Sequence, residues 1–221
     1  LQLPCRPDII ECYDISTIQG NFTVASMVRF ENGEARRDKF RTYKINTIEG
    51  QDDFGSMREV LSRRFDPVKQ HKLGKLPNLV VIDGGKGQLG VAHGVISERV
   101  KAYRDGEMTV VGLAKARMKK GTLERVFFPN RNSPVVLDQR SKELLLLARI
   151  RDAAHDHAIS YHRDLRRKRF LKSGLDEIPG VGPGRRKALF KHFSNLKAIR
   201  EASLEQLTAT PKIPAAVAQA V

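Results

Sequence analysis

Two aspartates carry the first chemical signal in this chain. Asp83 ends the apolar run Leu79-Val80-Val81-Ile82 and is followed at once by Gly84-Gly85-Lys86-Gly87. Such a run reads as a short buried strand closed by turn residues. The carboxyl end of a strand is where open α/β sheets place their ligand sites. Asp14 interrupts a second apolar segment, Ile9 to Ile15, where a core residue is expected. If the two strands lie side by side, both carboxylates stay ionised only with a cation between them. A hard divalent ion with oxygen ligands, Mg²⁺ or Mn²⁺, fits that pair. It would orient a water, lower its pKa and stabilise the leaving oxygen of a phosphodiester. Taken singly, each aspartate could instead cap a turn, Asp14 with Ser16 and Asp83 with Gly84-Gly85.

His155 and His157 lie in Arg149 to Ile159, RIRDAAHDHAI. On a helix Arg151 and Asp152 share a face with His155, while the two histidines point in different directions. Only one of them is then expected to reach the carboxylates, and a lone helical histidine is otherwise a surface or structural residue. Lys86 and Lys115 are candidate phosphate contacts. The pattern Gly84-Gly85-Lys86-Gly87 lacks the glycine spacing and the Ser or Thr of a nucleotide-binding phosphate loop, which disfavours an NTP-driven enzyme. Its amides open a helix and could still meet a phosphate. Ile178-Pro179-Gly180-Val181-Gly182-Pro183-Gly184, followed by Arg185, reads as the turn of a helix–turn–helix unit. Gly180, Gly182, Gly184 and Arg185 are the candidates for gripping a nucleic-acid backbone without reading bases. The run Arg163, Arg166, Arg167, Lys168, Arg169 and Lys172 is either a path for DNA or a solvated face.

The elements that must position these groups follow from periodicity and turn signals. Strands are expected at Ile9 to Ile15, Phe22 to Phe30 and Phe40 to Ile45, with turns at Gln19-Gly20-Asn21 and at Asn32-Gly33. A helix capped by Asp52 and Asp53 should run from about Phe54 to Arg64. Then come the Leu79 strand, a helix from about Gly87 to Val100, a strand Thr109 to Ala114, and edge strands or a hairpin at Leu123 to Phe128 and Val135 to Leu137. A long helix should run from Ser141 to about Arg169. Three antiparallel strands followed by strand–helix–strand units make a mixed five-stranded α/β sheet with flanking helices. A boundary is expected near Lys172-Ser173-Gly174, giving domains 1–170 and 171–221, the second small and all-α.

The 221 residues carry a formal charge of +15. That surplus points to a polyanionic partner, of which nucleic acid is the commonest. With 40% hydrophobic residues the chain can build a core. No apolar run approaches the ~20 residues of a membrane span, and the start lacks a secretory signal. Cys5 and Cys12 have no metal-site spacing, so a reducing cytoplasm is expected. The missing initiator Met suggests a fragment.

ECYDIS, VASMVRF, DDFGSMREVLSRR, VVIDGGKGQL, IRDAAHDHAI and IPGVGPGRRKAL together resemble the carboxyl-terminal half of the UvrC family, the nuclease subunits of bacterial nucleotide excision repair. The resemblance implies a ribonuclease H-like endonuclease domain and tandem helix–hairpin–helix motifs. It implies a cut on the 5′ side of a lesion, made with UvrB on damaged duplex DNA. The family's catalytic triad maps onto Asp14, Asp83 and His155, and a further acidic position onto Asp53, which the residues themselves read as a helix cap. The family's amino-terminal nuclease, cysteine-rich region and main UvrB-binding hairpin have no counterpart here. The second hairpin departs from the family pattern: Thr210-Pro211-Lys212-Ile213-Pro214-Ala215-Ala216 has no glycine. The expected protein is a divalent-metal DNA endonuclease in which His155 completes the metal site or handles a proton. The rival is a non-catalytic DNA-binding scaffold.

Overall fold

A computed structural model describes the chain except residues 19–21, 46, 49–51, 119–120, 177 and 194–195. Only the backbone is described at 17, 18, 22, 70, 116–118, 121–122, 164–174 and 176. The chain divides into two compact units, Leu1–Tyr161 and His162–Val221.

In the first unit seven strands form one sheet: β1 (Ile9–Ile18), β2 (Phe22–Glu31), β3 (Glu34–Ala35), β4 (Arg41–Lys44), β5 (Leu79–Asp83), β6 (Thr109–Met118) and β7 (Gly121–Phe127). Their order is β3-β2-β1-β5-β6-β7, with β4 also on β2. β1 pairs antiparallel with β2 and parallel with β5, and β5 pairs parallel with β6. The mixed sheet stands as read from the sequence; its strand count does not. The third strand expected at Phe40 to Ile45 is β4, and the edge strand expected at Leu123 to Phe128 is β7; the two-residue β3, set off from β4 by a 3₁₀ turn at Arg37–Lys39, was not expected. Asn32 (φ +52°) and Gly33 (φ +81°) are both left-handed, so Asn-Gly makes the tight hairpin turn its residue types favour. The turn expected at Gln19-Gly20-Asn21 lies outside the described residues.

Helices cover both faces of the sheet. One face packs on α1 (Asp53–Arg64) and α2 (Lys86–Arg99): Tyr13, Met27, Val80 and Ile82 meet Met57, Leu61, Leu89 and Ile96. The other face packs on α4 (Lys142–Asp176), after the short α3 (Lys101–Arg104): Ile10, Cys12, Leu79, Val81 and Leu113 meet Leu144, Leu147, Ile150 and Ala154. β5 is central and covered twice, which is why its apolar residues run on without alternation. Each fully buried Leu, Ile or Phe in these layers contributes about 1.5–3 kcal/mol. Alternation along β1 sends Ile10, Cys12 and Asp14 toward α4, and Glu11 and Tyr13 toward α1.

Charge is buried on the α1 side. Glu11 is fully buried and accepts from Arg29 Nη1 at 2.9 Å, Arg64 Nη2 at 2.8 Å and Tyr13 Oη at 2.7 Å. Arg29 also donates to the carbonyl of Lys75 at 2.9 Å and to Glu31 at 2.8 Å. The cluster binds β1, β2, α1 and the loop before β5 three residues upstream of Asp14.

The second unit holds α5 (Pro183–His192), α6 (Leu196–Arg200), α7 (Leu204–Thr208) and α8 (Ala215–Ala218). They close over Leu175, Val181, Leu189, Ile199, Leu207, Ile213 and Val217. Ser203 and Gln206 form a capping box that starts α7. The boundary expected at Lys172-Ser173-Gly174 falls inside α4, which runs to Asp176.

Candidate active site

The register of β1 on β5 pairs Cys12 with Val81 and Tyr13 with Ile82. One residue further on, the same register sets Asp14 alongside Asp83. Adjacent strands lie about 4.8 Å apart, and both side chains leave the sheet on the α4 face. Asp14 is 6% exposed, and its carboxylate accepts from the Ser16 hydroxyl at 3.0 Å. Burial, then the neighbouring Asp14 charge, push the Asp83 carboxyl up to about 6; Arg151 and His155 partly offset this. Asp83 is thus strained as an anion, because two carboxylates share a partly desolvated place.

α4 brings in the third candidate. Leu144, Leu147, Ile150, Arg151, Ala154 and Ala158 form its buried stripe. His155 stands at the margin of that stripe, with Nδ1 3.5 Å from Asp14 Oδ2. His157 turns elsewhere: its Nε2 lies 3.1 Å from Thr42 Oγ1, and its ring meets Phe40 edge-on. Arg151, one turn before His155, donates to Glu124 on β7 and to Asp152 at 2.7 Å. Burial opposes charge on Arg151, but these two carboxylates more than compensate, and its pKa is raised.

The pair Asp14 and Asp83 offers oxygen ligands to a hard divalent ion, and such an ion would relieve the repulsion that raises Asp83. The donor set therefore fits Mg²⁺ or Mn²⁺. Among the described residues no group of three His, Cys, Asp or Glu side chains closes into a metal cage.

Residues 1–159 match the family model described as the UvrC RNAse H endonuclease domain. The chain belongs to this family. Residues 172–221 match the SAM-like Helix-hairpin-helix tandem. Among curated relatives, the UvrABC system protein C of Geobacter metallireducens is 46% identical over 231 residues, covering 100% of this chain and 36% of that protein. The protein of the same name from Desulfotalea psychrophila is 48% identical over 207 residues, covering 94% of this chain and 33% of its own length. That from Gloeobacter violaceus is 46% identical over 225 residues, with 100% and 34% covered. The chain thus spans about a third of the length of the curated relatives it matches.

The other residues expected at a UvrC-type site are placed as follows. Lys115 Nζ lies 3.9 Å from Glu124 Oε1. Lys86 opens α2, with its ammonium on the carbonyl of Asn132. The Gly84 amide is taken by the Leu113 carbonyl at 3.0 Å, so it is not open to a phosphate. A Cβ at Gly112 would lie 2.8 Å from the Gly84 carbonyl oxygen, and this close approach seats the turn after Asp83. Asp52 caps α1, accepting from the Gly55 amide at 2.9 Å, and Asp53 is the exposed first residue of that helix. Gly180, Gly182, Gly184 and Arg185 lie together in the second unit, lining one open groove. Arg163 is exposed on α4; the side chains of Arg166, Arg167, Lys168, Arg169 and Lys172 lie outside the described residues.

Sequence reasoning missed Ser26 and Glu124. Ser26 is the cross-strand partner of Asp14, fully buried, and its hydroxyl donates to the Ala154 carbonyl at 2.7 Å. It therefore clamps α4 to the sheet one residue before His155. Ser26→Ala is expected to cost about 1 kcal/mol of stability. It should also lower any cutting about tenfold by letting the imidazole drift, with DNA affinity unchanged. Denaturant unfolding and an incision assay on the same variant check this; full cutting at reduced stability removes the clamp. The hairpin register that sets Ser26 opposite Asp14 was the signal that could have found it. Glu124 carried no local signal, since its role comes from Arg151, 27 residues away.

Proposed function

We propose that this chain is the segment of a UvrC-type protein that cuts DNA with a bound Mg²⁺ or Mn²⁺. Its cut falls on the 5′ side of a lesion in bacterial nucleotide excision repair, within the UvrABC system. The observation that carries this reading is the register that sets Asp14 and Asp83 side by side on the face that His155 reaches from α4. The family match and the +15 charge support it. Damaged duplex DNA and UvrB are the proposed partners, and the cytoplasm the proposed compartment. No helix among the described residues is long and apolar enough to cross a membrane.

Asp14 and Asp83 are the proposed metal ligands, so both must be ionised. When bound, the ion supplies Lewis-acid polarisation of the scissile phosphate and a lowered pKa for a nucleophilic water. His155, 3.5 Å from Asp14, is placed to take a proton from the attacking water or to hand one to the leaving oxygen. Arg151 holds Glu124 and Asp152, and its charge lowers the cost of the neighbouring Asp83 anion. Lys115 on the same face is a candidate for a non-bridging phosphate oxygen.

The test places this segment in the matching third of a relative such as the Geobacter protein, in a reconstituted UvrABC incision reaction. Asp14→Asn is expected to lose 5′ incision and keep duplex affinity, and a chelator should reproduce the loss. Incision that survives both leaves only a DNA-binding scaffold.

A further inference from the structure

Two tight turns of the second unit repeat one pattern. In Ile178-Pro179-Gly180-Val181 the Val181 amide donates to the Ile178 carbonyl at 3.1 Å. In Thr210-Pro211-Lys212-Ile213 the Ile213 amide donates to the Thr210 carbonyl at 3.2 Å. Val181 and Ile213 are both buried in the core of this unit. Proline second and a left-handed residue third define the type II turn, whose third position favours glycine. Gly180 has φ +86°; Lys212 has φ +71° and is not glycine. A side chain in that conformation is held against its preference, and such positions cluster at functional sites. Space separates the two turns as well. A Cβ at Gly180 would lie 3.0 Å from Val217 Cγ2, whereas the Lys212 side chain is exposed.

Arg185, the cation that residue types place on DNA, is engaged by the turns themselves. Its Nη1 donates to the Gly180 carbonyl at 2.6 Å and its Nε to the Lys212 carbonyl at 3.2 Å. One guanidinium thus ties the two equivalent carbonyls together. The groove of about 790 Å³ that Gly182, Gly184, Thr210 and Lys212 help to line lies here. A second of about 430 Å³ adjoins it, where Lys187, Lys191 and His192 join Lys212. Among the described residues lining either groove none is acidic. After the first turn comes the amide of Gly182; after the second comes Pro214, which has no N–H to offer.

We propose that Lys212 is the cation with which the second turn grips a phosphate of the DNA backbone, while Arg185 sets the spacing of the two turns. A lysine suits this contact, being a compact charge with three donors on a flexible stem and no demand for a particular base. The proposal rests on the DNA-binding reading above and names a residue for it.

The whole chain, with Lys212→Gln and Lys212→Gly, is titrated against a short undamaged duplex over a salt series and melted in parallel. Lys212→Gln keeps the bulk and the strained turn but not the charge. It is expected to bind about two- to five-fold more weakly, with a slope of log K against log salt reduced by about one. Lys212→Gly should lose the same binding and yet melt at a higher temperature, because the turn then holds the residue it prefers. Unchanged affinity and slope in Lys212→Gln, beside salt-dependent binding by the parent chain, overturn the role of Lys212 and leave the DNA reading standing. A parent chain that does not bind duplex at all overturns both.

Discussion

Asp83→Asn is expected to make the metal-free protein more stable at neutral pH and to abolish cutting. The carboxyl titrates near 6 in the fold against an ordinary value of 3.8. Between those two values the folded chain holds a proton that the unfolded chain has released. Stability from this group is therefore complete below about pH 3.8, declines as pH rises toward 6, and stays lost above it. The full shift corresponds to about 3 kcal/mol. Discounted for the partial exposure of the group, about 2 kcal/mol should return in the asparagine variant at pH 8. A domain of this size would melt about 4–8 °C higher as a result. The gain should vanish near pH 4. A divalent ion should stabilise the parent chain and not the variant, since only the parent offers the ligand pair. Incision should fall about a thousandfold, the equivalent of losing several kcal/mol of transition-state stabilisation. Melting curves at pH 4 and pH 8, with and without Mn²⁺, measure this. A variant that is less stable at pH 8 would mean that Asp83 is held by favourable bonds rather than strained beside Asp14.

Glu11→Gln should be the most damaging single change to the fold. The side chain keeps its shape, but Arg29 (1% exposed) and Arg64 (4% exposed) lose their shared counter-charge. Breaking a buried pair in this way costs about 3–5 kcal/mol, because two cations in a dry place lose the carboxylate they share. Against a usual total of about 5–15 kcal/mol that is a large fraction. Urea unfolding followed by circular dichroism reads it directly, and a loss below about 1 kcal/mol would show that water reaches the cluster. Incision should fall along with stability, since Glu11 lies on the strand that carries Asp14.

Much of this architecture is written locally. The unbroken apolar run Leu79 to Ile82 marked a doubly covered strand, and its end at Asp83 marked a ligand position. Asn32-Gly33 marked a hairpin because both residues accept left-handed backbone. Asp52 marked the start of α1 because its carboxylate can accept an amide of the first turn. Each of these signals depends on neighbours within a few residues, so chain order suffices to read it.

What chain order left open depends on partners far apart. Residue type suggested Arg185 for DNA, yet its guanidinium meets two backbone carbonyls, one of them 27 residues away. Glu11 carries no local signal of its role, because its partner Arg64 lies 53 positions on. The two-residue β3 (Glu34–Ala35) is too short to show a periodicity of its own, and the pairing with β2 defines it. The residue types and spacings of this chain decided which carboxylates, imidazole and glycine turns were available, and hence the kind of chemistry. Strand register, the seating of α4 and the pairing of buried charges decided which of them meet. The reason is that hydrogen bonds and ion pairs act over a few ångströms of space, whatever the distance along the chain.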